Sequence, residues 1–68
     1  MNYYIAKANA TIGDVLVEKK EMDEAEKHYH KAQTIVGFIF GDNHPAIIQY
    51  NAYLIEVYGQ SENAEKKN

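Results

Sequence analysis

Residues 9–45, NATIGDVLVEKKEMDEAEKHYHKAQTIVGFIFGDNHP, hold two runs of helical periodicity. The polar segment Glu18-Lys19-Lys20-Glu21 divides them, and Gly41-Asp42-Asn43-His44-Pro45 closes the second. Read alone, the stretch is one helix–turn–helix unit. Its first helix is then echoed 42 residues on: Asn9-Ala10-Thr11-Ile12 aligns with Asn51-Ala52-Tyr53-Leu54, and Asp14, Val15 and Leu16 fall on Glu56, Val57 and Tyr58. Self-similarity at a period of roughly 20–50 residues marks stacked helical units, which present extended surfaces to other molecules.

Outward from that stretch, Ile5, Ala8, Ile12, Val15 and Leu16 recur at steps of three and four, which predicts a helix over residues 3–19 with one apolar face. Gly13 interrupts it. Glycine costs about 1 kcal/mol relative to alanine inside a helix, so a neighbouring helix is expected to pass closely over this position. Asp23 followed by Glu26 resembles a capping arrangement and predicts a second helix over residues 23–40. Ala25, Tyr29, Ala32, Val36 and Ile39 form its apolar stripe, with Glu24, Lys27, His28 and Lys31 on the opposite face. Gly37 and Gly41 weaken the helix end, and Pro45 suits the first turn of a third helix over residues 45–58. Ile47, Tyr50, Asn51, Leu54, Val57 and Tyr58 are its expected inward side. Residues 59–68 are polar and read either as a tail or as a second, partly formed copy of the second helix, because Asn63-Ala64-Glu65-Lys66 echoes Glu24-Ala25-Glu26-Lys27. The fold class is therefore all-α: an antiparallel helix hairpin plus a third helix, with residues 1–58 as about one and a half repeats.

Composition bounds what such a chain can be. Its 68 residues, 46% apolar and 25% charged, make one small domain at most. Chains of this size bury only about 60% of the surface they expose when unfolded, and there is no cysteine to staple the core. Lack of cysteine fits a reducing compartment. No apolar run approaches the ~18 residues of a membrane span, and the N-terminus lacks the layout of a signal peptide, so a cytoplasmic protein with no membrane partner is expected. A net charge of −3 with acidic residues spread along the helices offers no basic stripe for nucleic acid.

Gly13 and Leu16, with Ala25, Tyr29 and Ala32, stand at the spacings where tetratricopeptide repeats place their small and large packing residues. The long second helix and the Gly41-Asp42-Asn43-His44-Pro45 junction further resemble the 42-residue type of tetratricopeptide repeat found in kinesin light chains. The resemblance covers nearly the whole chain up to Tyr58 and implies an α-solenoid fragment. It departs from that pattern where such light chains place paired asparagines in their peptide groove, since Ala10, Thr11, Ala52 and Tyr53 stand there.

By the same resemblance, the concave groove is lined by Lys7, Ala10, Asp14, Val17 and Glu18 in the first repeat and by Gln49, Ala52, Glu56 and Gln60 in the next. Asp14 and Glu56 stack as two acidic rungs, which suits a basic protein or peptide partner. The same residues also suit a merely solvated helix face. His28 and His30 point about 200° apart on one helix and cannot share a metal there. His44 reads as a helix-terminating or helix-starting residue. No cofactor is called for, and no set of residues resembles a catalytic constellation. Tyr3, Tyr4, Phe38, Phe40, Ile48 and Tyr50 carry more apolar surface than one and a half repeats can bury, which implies neighbouring repeats, self-association or a larger assembly. Three functions remain open at this point: a protein-binding scaffold or adaptor, a building block of a cytoskeletal or ciliary assembly, and a non-catalytic regulatory piece of a larger enzyme.

Overall fold

The computed structural model describes residues 2–66, and side chains for residues 2–60. Three helices follow one another: α1 (Tyr3–Glu18), α2 (Met22–Phe40) and α3 (Pro45–Lys66). Asn2 caps α1, its side-chain oxygen accepting the Ile5 N–H at 3.0 Å. At the other end Lys20 turns the chain with φ 63°, so that the N–H groups of Lys20 and Glu21 return to the carbonyls of Val17 and Leu16, both at 2.9 Å. Those two bonds satisfy carbonyls that the last helical turn leaves open. α2 starts one residue before the predicted Asp23 cap. Glu21 is the cap residue and makes no side-chain bond, while Asp23 and Glu24 lie in the first turn, where their charge favours the positive helix end.

α2 ends at Gly41, whose φ of 85° only glycine adopts readily. His44 then starts α3, with its Nδ1 accepting the Ala46 N–H at 3.1 Å and its ring stacked 4.5 Å from that of Phe40. α3 is longer than predicted. It continues through Gly59 to Lys66 as one helix, so the echo at residues 63–66 extends α3 instead of turning back as a further helix. The one helix-weakening glycine there adopts no positive φ. No proline follows it to stop the helix.

α1 and α2 form an antiparallel hairpin, and α3 packs along the side of α2. The assembly measures 40 × 19 × 12 Å between Cα atoms, a slab one helix layer thick. Its core is Ala6 and Ala10 of α1, Ala25, Tyr29, Ala32, Ile35 and Val36 of α2, and Ala46, Tyr50, Leu54 and Val57 of α3. Gly13 meets Tyr29 as its presence in a helix implied: a Cβ there would lie 2.7–2.9 Å from three atoms of the Tyr29 ring. The expected apolar face of α1 is corrected. Ile5, Ile12 and Val15 are each at least 44% exposed, and the hairpin closes instead on the small residues Ala6, Ala10 and Gly13. In α2, Ile35 takes the buried place expected of Ile39, and in α3 Tyr58 is half-exposed. Among the described residues, no helix is long and apolar enough to cross a membrane.

Candidate functional site

Because α1 and α3 both lean on α2 and barely touch each other, a trough runs between them with α2 as its floor. Two adjoining hollows make it up. One, of about 170 Å³, is lined by Asp14 and Val17 from α1, Tyr29 from α2, and Tyr53, Glu56 and Val57 from α3. The other, of about 180 Å³, is lined by Tyr3, Lys7, Ala10, Thr11, Asp14, Gln49, Tyr50 and Tyr53. Asp14 and Tyr53 belong to both, so the trough is continuous.

Six of the residues expected in a groove therefore come together here: Lys7, Ala10, Asp14, Val17, Gln49 and Glu56. Gln60 reaches the site only through Glu56, to which its amide donates over 3.5 Å. Glu18 and Ala52 are exposed and lie outside both hollows.

The trough carries charge of both signs in order. Lys7 stands at one end, its Nζ 5.7 Å from the centre of the Tyr3 ring. Asp14 and Glu56 stand at the other. Between them the aromatic residues are fixed in place: Gln49 donates to the Tyr53 hydroxyl at 2.8 Å, and the Tyr29 hydroxyl donates to Asp14 Oδ1 at 2.6 Å. The rings of Tyr29 and Tyr53 lie 5.4 Å apart. The Tyr29 hydroxyl is pushed far above its usual range, first by burial, then by the hydrogen bond and negative charge of Asp14, with Tyr53 and Glu56 adding to the effect. Both acidic side chains thus project their field into one small cavity.

Tyr3, Tyr29 and Tyr50 line the trough without having been expected there, whereas Tyr53 stands at a position that the tetratricopeptide resemblance places in the groove. The apolar stripe of α2 accounts for Tyr29 as a packing residue, and it does pack. The signal was its hydroxyl: a polar atom in an otherwise apolar stripe needs a partner when buried, and the partner is a candidate groove residue.

The histidines have other duties. His28 Nδ1 lies 3.0 Å from Asn9 Oδ1 and ties α2 to α1, whereas His30 Nε2 lies 3.1 Å from the Tyr58 hydroxyl and faces α3. Tyr58 also donates to Glu26 at 3.3 Å, and Gln33 donates to Asn51. A larger hollow of about 610 Å³, lined by Ile5, Asn9, Lys27, His30, Lys31, Thr34 and Ile35, belongs to α1 and α2 alone. It brings no opposite charges together. Comparison of the chain with family models, with curated proteins and with solved structures finds no match.

Proposed function

We propose that this chain is a protein-binding module of the scaffold or adaptor kind, which holds an extended peptide segment of a partner in the trough between α1 and α3 and carries out no chemistry of its own. The observation that carries the reading is the charge order of the trough, with Lys7 at one end and the Asp14–Glu56 pair at the other over a floor of tyrosine. Lys7 and Asp14 are seven residues apart on one helix, about 10 Å at a rise of roughly 1.5 Å per residue. An extended peptide covers that distance in about three residues. The preferred segment has a basic residue for Asp14 and Glu56 and an acidic residue three positions away for Lys7. The tetratricopeptide resemblance supports the same use of this surface, and a cytoplasmic location goes with it.

Fluorescence anisotropy with labelled eight-residue peptides tests the reading. A peptide with arginine and aspartate three positions apart should bind, more weakly as salt rises, because exposed charge contacts are screened over about 8 Å at physiological ionic strength. The double reversal Asp14→Lys with Glu56→Lys should abolish that binding. Equal binding by wild type and double variant would remove the trough from consideration.

A second reading is favoured by Tyr4, Phe38, Ile48 and Ile55, all at least 68% exposed. Apolar surface of that size suits permanent burial in a larger assembly, such as a cytoskeletal or ciliary one. Size-exclusion chromatography with light scattering separates the two: a monomer at all concentrations favours the adaptor, and concentration-dependent oligomers favour the assembly piece.

A further inference from the structure

We infer that the hollow formed by Asp14, Val17, Tyr29, Tyr53, Glu56 and Val57 is a subsite for a single arginine side chain of the bound partner, an assignment that rests on the peptide-binding reading above and deepens it.

Size limits the occupant first. This part of the trough, about 170 Å³, has room for one side-chain head. Its wall chemistry then selects a cation with an apolar stem. Val57 is buried at the bottom and Val17 is partly buried beside it, which gives methylene groups an apolar surface. Tyr53 presents a ring held by Gln49, and cations are attracted to such a face. Asp14 and Glu56 supply two carboxylates at the mouth. Among the described residues neither has a lysine or histidine partner, since the ion pairs are Lys27 with Glu24 and His30 with Glu26. The Tyr29 hydroxyl occupies one oxygen of Asp14 and leaves the other to a ligand, while holding the carboxylate in one orientation.

Arginine fits these walls better than lysine. Its guanidinium is planar and weakly hydrated, so it stacks on a tyrosine and still offers donors in two directions, one for each carboxylate. A lysine ammonium is compact and strongly hydrated and gives up more water to enter an aromatic slot. All seven basic residues of the chain are lysines, so the arginine comes from a partner.

The test uses the whole chain, labelled with nitrogen-15, and three otherwise identical Gly/Ser peptides carrying one arginine, one lysine or one citrulline. The arginine peptide should shift the amide resonances of Asp14, Tyr53, Glu56 and Val57, and citrulline should bind at least about tenfold more weakly, because it keeps the shape and loses the charge. Glu56 is exposed, so Glu56→Gln leaves the fold intact and should weaken the arginine peptide by a similar factor. Tyr53→Leu should reduce the preference for arginine over lysine while leaving both peptides bound. Equal affinity for arginine and citrulline, equal affinity for arginine and lysine, or indifference to Glu56→Gln would each overturn the assignment. In those cases binding of the peptide with paired arginine and aspartate would still stand for the trough as a whole, whereas failure of every basic peptide would overturn both readings.

Discussion

Replacing Gly13 with alanine sets two effects of opposite sign against each other. Inside a helix the change favours folding by up to about 1 kcal/mol, because alanine restricts the unfolded chain and glycine does not. Against this, the new Cβ would lie 2.7 Å from one atom of the Tyr29 ring and 2.9 Å from two more, where ordinary contacts begin near 3.4 Å. The ring must retreat by about 0.7 Å or the helices must part. It has little room, since Tyr29 is only 2% exposed and its hydroxyl is bonded to Asp14 at 2.6 Å. Overpacking of this kind costs about 1–3 kcal/mol, and strain on a hydrogen bond to a charged group adds to it, so the net change is a loss of about 1–3 kcal/mol. For a chain of this length that lowers Tm by roughly 4–8 °C per kcal/mol, as read by circular dichroism. Gly59→Ala is the internal control. A Cβ there meets nothing within 4 Å, so the same substitution should stabilise by about 0.5–1 kcal/mol. A Gly13→Ala protein that melts at or above the wild-type temperature would refute the account of the α1–α2 contact.

Ala32→Phe should destabilise by about 1–3 kcal/mol, because Ala32 is fully buried in the core, and an unchanged melting temperature would show that its surroundings are not close-packed. Tyr29 and Tyr50 both have hydroxyl pKa values raised above the ordinary 10 by burial, so the unfolded chain loses those protons first. Stability is therefore full below pH 10 and falls as pH rises beyond it, and Tyr29→Phe should flatten that fall in urea titrations followed against phenolate absorbance. Lys20 holds φ 63° at the end of α1, so Lys20→Gly should stabilise by up to about 1 kcal/mol, measured by chemical denaturation.

The helices were legible wherever punctuation was chemically strong. Gly41 and Pro45 bound the junction, and His44 does start α3. The turn after α1 was located only loosely, because lysine occupies the left-handed position that usually shows itself as glycine. The end of α3 was misplaced because a lone glycine weakens a helix without ending it. In the trough, the charged rungs Asp14 and Glu56 were expected from the tetratricopeptide resemblance, and the repeat offset aligns them with each other. The Tyr29 ring that forms its floor was not, since a tyrosine at helical spacing looks the same whether its hydroxyl meets water or a carboxylate.

The misreading of α1 has a physical cause in the repeat itself. Ile5, Ala8, Ile12 and Val15 correspond, 42 residues on, to Ile47, Tyr50, Leu54 and Val57, the partly or fully buried side of α3. Conversely Ala6, Ala10 and Gly13, which α1 buries against α2, correspond to Ile48, Ala52 and Ile55, which α3 leaves exposed. α1 and α3 therefore meet α2 through different faces, α1 through small side chains and α3 through large ones. An amphipathic stripe marks only the face with the larger side chains, and in α1 Ile5, Ile12 and Val15 on that face stay exposed. The face that closes the hairpin is built from Ala6, Ala10 and Gly13, residues whose contribution is closeness of approach, which periodicity of hydrophobic bulk cannot register.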